Sequence, residues 1–416
     1  MQQYPPNQIR NVVLLGHSNS GKTSLSEAML FSAGAITRLG SVNDGTTTSD
    51  FEPEETRRKI SINLSLLPLE WKNTKINVID APGYPDFVGE VKSGLRVSES
   101  ALLVVCAASG VEVGTEQAWS YINEARLPRV IFVNKIDRDN ADFFRTLRQI
   151  QEKFGDKCLP VQLPIGAEKN FRGIVDVLRR KSIGSGQTSE PEIPGPLNQQ
   201  IELYREKLVE VAVESDDALL SRYLDGETIA DEEILRGIKQ AIVQGKLTPV
   251  PVGSALLGAG VTILLDTVCQ YLPSPADSPF EATTPSGEKV KVEVSPAAPI
   301  VAFVFKTTAD PYVGKLSYFR VYSGTVFSNS QVWNASRGTT ERLGQLFLIR
   351  GKSQEPVQQV VAGDIGAVAR LSVTGTGDSL TARERPLVLP PVKFPEPNLS
   401  KAVYPKSKND LDKMRT

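Results

Sequence analysis

Residues 9–23 read IRNVVLLGHSNSGKT, and the fold turns on this stretch. The run Ile9 to Leu15 has the composition of a buried strand, and residues 22–33 place Leu25, Ala28 and Met29 on one helical face. Between them lies Gly16-His17-Ser18-Asn19-Ser20-Gly21-Lys22-Thr23, followed by Ser24. This is a G-x-x-x-x-G-K-[ST] loop, set after a strand and opening a helix as its mechanism requires. Its glycines let the backbone wrap so that N–H groups and the helix start cradle phosphates. In such a loop Lys22 reaches the β and γ phosphates and the Thr23 hydroxyl binds Mg2+.

Three further segments follow in order. Asp80-Ala-Pro-Gly83 ends an expected strand; Asp80 can hold Mg2+ through water, and the Gly83 N–H can sense a γ-phosphate. Asn134-Lys135-Ile136-Asp137 also follows a strand. A carboxylate at Asp137 can accept hydrogen bonds from guanine N1–H and its exocyclic amine, which adenine does not offer, so the residue type selects guanine. In Gly253-Ser254-Ala255-Leu256, the Ala255 N–H can reach guanine O6. The Asp80–Gly83 and Gly253–Leu256 segments are weak alone, but the four in this order specify a guanine-nucleotide-binding domain.

Around these motifs, strand patterns at residues 60–66, 76–80, 101–107 and 129–134 alternate with helical ones at 86–98, 116–125 and 141–154. That alternation predicts a parallel sheet covered on both faces. Residues 158–178 look β-like, 181–196 are a Gly/Ser/Pro loop, and 197–215 and 230–244 are charged amphipathic helices. The α/β pattern returns with a strand at 248–252 and a helix at 259–271. We therefore expect residues 1–278 to form one α/β P-loop GTPase domain with an α+β subdomain inserted at about 158–246. Residues 279–296, within a proline-rich stretch, are expected to be a linker. Short β patterns at 300–307, 316–323, 341–349 and 365–371 predict a small β-barrel over 297–388. Residues 389–416 would be a further linker and the beginning of a third domain.

Composition narrows the class. At roughly 150 residues per domain, 416 residues suit two to four domains. Lys plus Arg number 47 against 48 for Asp plus Glu, so nucleic-acid contact would need local patches rather than bulk charge. The apolar run at residues 101–108 is too short to span a bilayer, and residues 1–10 lack a signal-peptide core. Three separated cysteines, Cys106, Cys158 and Cys269, fit neither a disulfide framework nor a zinc site. A cytoplasmic monomer without a membrane partner is expected.

The runs GHSNSGKTSLSEAML, GTTTSDFEPEE, DAPGYPDFVGEV, NKID, GSAL and YLPSP resemble translational GTPases of the elongation factor G family, most narrowly its divergent elongation factor G-like branch. The resemblance covers nearly the whole chain, and FPEPNLSKAVYPKSKNDLDKM is similar to the opening of the family's third domain, as in a fragment of a longer protein. It implies a translation-factor-type barrel, GTP and GDP as substrate and product, Mg2+, and the ribosome, both RNA and proteins, as partner. It implies a nucleotide site of Gly16 to Ser24, Asp80, Gly83, Asn134, Lys135, Asp137, Ser254, Ala255 and Leu256, with Thr23, Ser61 and Asp80 at the metal and Lys22, Gly83 and Tyr84 at the chemistry. Switch I would be residues 40–62, with Ser61 standing where the family has a Mg2+-binding threonine.

Two departures stand out. Tyr84 occupies the place of the family's water-orienting histidine, and the chain's one histidine, His17, is in the phosphate loop, where a structural role is expected. A phenol with a pKa near ~10 cannot replace an imidazole near neutrality, though it can donate a hydrogen bond. Asn19 replaces the usual aspartate; it is a candidate ligand of a monovalent cation, or a turn-forming residue. Lys306, Lys315, Arg320, Arg337 and Arg342 are candidates for ribosomal RNA phosphates, or for a solvated face. The expected function is ribosome-dependent GTP hydrolysis of the translocation type. A binding switch with little hydrolysis and a ribosomal protection or release factor stay open, while NKID and the barrel disfavour a metabolic kinase.

Overall fold

The computed structural model describes residues 2–184, 190–310, 314–397, 399–407, 410 and 414. Strand β1 (Ile9–Leu15) lies at the centre of a five-stranded sheet, flanked by β3 (Thr74–Asp80) and β4 (Ser100–Cys106), with β2 (Ser65–Trp71) and β5 (Arg129–Asn134) at the edges. Every residue of β1, β3 and β4 is buried, the burial expected of parallel strands with both faces covered. The sheet is mixed, because β2 runs antiparallel to β3 while the other pairs are parallel. Helices α1 (Lys22–Ser32) and α3 (Val88–Arg96) pack on β1, and α4 (Val113–Ala125) packs on β4.

The strand expected over residues 60–66 begins only at Ser65. The reason lies in two carboxylates. A short helix, α2 (Pro53–Arg58), brings in Glu55, which accepts from the Ile62 and Asn63 N–H groups, and Glu90 of α3 accepts from Leu64 N–H. The alternating pattern is real, but its amides are taken by side chains rather than a neighbouring strand.

After α5 (Phe143–Phe154) and β6 (Cys158–Pro160) comes the insertion. It holds a three-stranded antiparallel sheet, β7 (Gln162–Ile165), β8 (Gly173–Asp176) and β9 (Lys181–Gly184), and helices α6 (Gly195–Val213), α7 (Asp217–Leu224) and α8 (Asp231–Val243). Helix α7 escapes the sequence pattern because Leu219 is its one buried residue. The expected loop at 181–196 is shortened at both ends by β9 and α6, and its middle, 185–189, lies outside the described residues. The chain returns to the main sheet through β10 (Thr248–Val250), which pairs with β6, and ends the domain with α9 (Val261–Tyr271).

The stretch expected to be a linker carries a hairpin, β11 (Phe280–Thr283) with β12 (Lys289–Val292). The β-rich second domain is built on an eight-stranded antiparallel sheet centred on β13 (Val301–Asp310) and β14 (Gly314–Ser323). In the segment expected to open a third domain, 398, 408, 409, 411–413, 415 and 416 lie outside the described residues.

Two of the five cations assigned to RNA are instead buried between the domains. Arg320 pairs with Glu99 and donates to Val97 O, while Lys306 pairs with Glu90 and donates to Asn63 Oδ1. Lys75 of β3 completes the seam with Asp364 at 2.7 Å, and Asn77 donates to Asp364 and to Asn11. A cation taken from water needs a carboxylate and filled hydrogen bonds, which these have. Arg337 pairs with Asp378, and only Lys315 and Arg342 remain exposed with no carboxylate partner among the described residues.

Candidate nucleotide site

The end of β1, the start of α1 and the loops after β3, β5 and β10 meet around one polar cleft of about 270 Å³. Ser18, Asn19, Gly21, Lys22, Thr23 and Ser24 form its floor. Gly21 takes the left-handed conformation (φ 95°), and a Cβ there would collide with the Asn134 amide, so glycine is required for the loop to close. Lys22 Nζ donates to Gly16 O at 3.2 Å and His17 O at 3.1 Å. Burial pushes this ammonium down to about 8, against the pull of Asp80 and Asp50. A Cβ on Gly83 would collide with that same Nζ and come within 2.9 Å of Ser18 N. The D-x-x-G turn therefore rests directly on the phosphate loop.

Beside Lys22 the site collects oxygens. Thr23 Oγ1 and Ser61 Oγ lie 3.1 Å apart, bringing together two of the expected metal ligands. Asp80 is fully buried; its Oδ2 accepts from Ser49 Oγ at 2.7 Å, and its Oδ1 has no partner among the described residues. Asp50, 4% exposed, adds another orphaned oxygen, Oδ1. Burial, then the charge of Asp80, pushes Asp50 up to about 7, and burial raises Asp80 as well. Hydroxyl and carboxylate oxygens with unfilled lone pairs suit a hard cation such as Mg2+.

Asp50 is a site residue that the motifs did not mark. Its signal is the polar run at residues 46–50, TTTSD, inside the expected switch. Since its folded pKa of about 7 exceeds the usual 3.8, folding binds a proton in that window and stability falls as pH rises through it. Asp50→Asn should therefore raise the melting temperature of the nucleotide-free protein little at pH 4 but by roughly 2–4 °C per kcal/mol relieved, on the order of 1–2 kcal/mol, at pH 8. Equal shifts by calorimetry at both pH values would refute this.

At the other end of the cleft, Asn134 Nδ2 donates to Ser20 O at 3.1 Å and its Oδ1 accepts from Ala255 N–H at 3.0 Å. The Ala255 amide, expected at guanine O6, is thus engaged with Asn134. Lys135 Nζ donates to Asn19 O at 2.6 Å. Asp137 has a buried Oδ1 with no partner among the described residues. Ser254 Oγ accepts from Leu257 N–H, and Leu256 is 75% exposed over the opening. Asn19 is exposed with φ 62°, a conformation asparagine tolerates, which accounts for it as a turn residue.

Tyr84 is half-buried on the rim, and its hydroxyl has no hydrogen bond among the described residues. His17 faces away from the cleft. Its Nδ1 accepts from Gly114 N–H at 3.3 Å, and its Nε2 lies 3.4 Å from Glu112 Oε1 and 3.3 Å from Ser18 Oγ. It ties the phosphate loop to the start of α4.

The family model for the elongation factor Tu GTP binding domain matches residues 7–274. The chain belongs to that family. The model for elongation factor G domain 2 matches residues 299–383 of this GTPase. A crystal structure of a protein from Thermus thermophilus is similar to it with a TM-score of 0.85 and 32% identity, covering 98% of this chain and 60% of that one. Domain order and superposition make the chain a translational GTPase of the elongation factor G type, spanning about 60% of the length of the protein it matches. Members of this family bind GTP, GDP and Mg2+ and work with the ribosome. Among the described residues no helix is long and apolar enough to cross a membrane.

Proposed function

We propose that this GTPase hydrolyses GTP to GDP and phosphate on the ribosome, as a cytoplasmic monomer in an elongation factor G-like cycle of the translocation type. The observation that carries the reading is the pair of orphaned carboxylate oxygens, on Asp50 and Asp80, gathered with Lys22, Thr23 and Ser61 at the cleft, with a third on Asp137 in the turn after β5. Thr23, Ser61 and Asp80 would hold Mg2+, which supplies positive charge to the β and γ phosphate oxygens. Lys22 turns from its two carbonyl acceptors to the phosphates, and the Gly83 N–H meets the γ-phosphate. Water attacks the γ-phosphorus as the bond to the β,γ-bridging oxygen breaks, and its proton ends on the released phosphate. The Tyr84 hydroxyl, unbonded to protein, is positioned to donate to that water or to the phosphate.

The segment that leaves switch I and helix α3 are both tied to the second domain. Lys306 bonds Asn63 and Leu64 after switch I and Glu90 on α3. Rearrangement of either segment on γ-phosphate loss therefore breaks contacts held by the β-rich domain.

Turnover with and without ribosomes tests the proposal. Strong stimulation is expected above the intrinsic ~10⁻⁴ s⁻¹ of unassisted GTPases. Binding of GTP with turnover fixed at that level would favour the second reading, a ribosome-associated switch, for which Tyr84 in place of histidine is the observation. ATP competing as well as GTP would sink both.

A further inference from the structure

At the opposite end of β5 from Asn134, about 17 Å away along the strand at ~3.3 Å per residue, a second cleft opens between the turns α4–β5 and α8–β10. It has a volume of about 380 Å³. Arg126, Arg129 and Lys157 line it, and no described carboxylate does.

Arg129 is held rigidly. Its guanidinium carbon lies 4.4 Å from the centroid of Trp119, which itself stacks on Phe154 at 4.4 Å. Its Nε donates to Leu127 O and its Nη1 to Asn123 Oδ1, leaving Nη2 without a protein acceptor among the described residues. Lys157 Nζ lies 5.7 Å from the same indole and donates to Gly245 O. Arg126 caps α4 in the left-handed conformation and is exposed, with no side-chain partner among the described residues.

The contrast with the domain seam is informative. There each buried cation, Lys75, Lys306 and Arg320, faces its own carboxylate. Here burial pushes the Arg129 guanidinium down to about 10 with no carboxylate to offset it. No carboxylate lines the cleft, which leaves these cations open to an anion from outside the chain. Two guanidiniums of the α4–β5 turn and an ammonium after α5 line the same cleft, and the free Nη2 of the stacked Arg129 can donate to an oxyanion there.

We propose that this cleft is a phosphate-binding site, distinct from the nucleotide site, and that it takes a backbone phosphate of RNA. The choice of a polynucleotide over a free ion rests on the function proposed above, since a ribosomal partner is rich in such phosphates.

The test is a titration of the full chain with a 12-nucleotide oligouridylate, with excess GDP and Mg2+ filling the phosphate loop. Arg129→Gln with Lys157→Gln should weaken binding at least tenfold. The slope of log affinity against log salt should become shallower by roughly 0.7 for each phosphate that the variant no longer neutralises. GDP affinity should not move. Arg126→Gln, which disturbs no packing, should weaken binding in the same direction and guards against misfolding of the double variant. Inorganic phosphate bound with the same variant sensitivity would uphold the site and assign it to a free phosphate. Affinities unchanged by all three substitutions would overturn the proposal, as would oligoglutamate binding as tightly as the RNA.

Discussion

Asp137→Asn should cost this GTPase at least a hundredfold in GTP affinity and turn its preference toward xanthosine triphosphate. The Asp137 Oδ1 is buried and unpartnered, so it waits for a donor. Guanine brings two, the N1–H and the exocyclic amine. Hydrogen bonds to a charged group contribute ~1.5–3 kcal/mol each, so losing the charge and one of the two, with a donor clash in its place, amounts to roughly a hundredfold or more. Asparagine keeps one acceptor but sets its NH2 against the guanine amine, donor against donor. Xanthine has a carbonyl there, which the amide can satisfy. The neighbouring side chains need not move, because Asn134 is fixed to Ser20 and Ala255, and Lys135 to Asn19, independently of Asp137. Competition of GTP, XTP and ATP against a fluorescent guanine nucleotide would measure the inversion. A variant that holds GTP within threefold of the parent would show that Asp137 does not read the base.

The same site shows how far local sequence reaches. The phosphate loop and the Asn134–Asp137 turn were legible because their chemistry fixes residue types at fixed spacing, on a strand end where the backbone must turn. Asp50 was not, since its importance comes from lying beside Asp80, thirty residues on, inside a segment with no regular structure. Residues 60–64 misled for a related reason. Their alternation fits a strand, yet Glu55 and Glu90 take their amides. Lys306 and Arg320 looked like solvent-facing charges because their partners, Glu90 and Glu99, are more than two hundred residues away in the chain. Periodicity reports which face of an element is apolar. It does not report which distant carboxylate will meet a lysine, and at this domain seam that pairing decides burial.

Tyr84→His should raise ribosome-stimulated turnover at least tenfold while leaving KM for GTP nearly unchanged. Tyr84 sits on the cleft rim next to Gly83, whose backbone rests on Lys22, so the position faces the γ-phosphate end of the site. An imidazole is smaller than a phenol, so it fits the place Tyr84 occupies without displacing its neighbours Leu15, Val91 and Ala118. Phenols ionise near ~10 and imidazoles near ~6.5, so only the variant carries a group that can take or orient a proton from water near neutrality. Water-positioning groups in such enzymes can be worth several orders of magnitude, which makes tenfold a modest demand. The variant should also gain a limb in its pH–rate profile near the imidazole range, absent from the parent, which a purely structural substitution would not create. Tyr84→Phe separates the remaining roles. If the parent's hydroxyl donates to water or phosphate, kcat falls without it; if phenylalanine turns over as fast as tyrosine and histidine no faster, the residue at this position is a spacer and the catalytic push comes entirely from the ribosome.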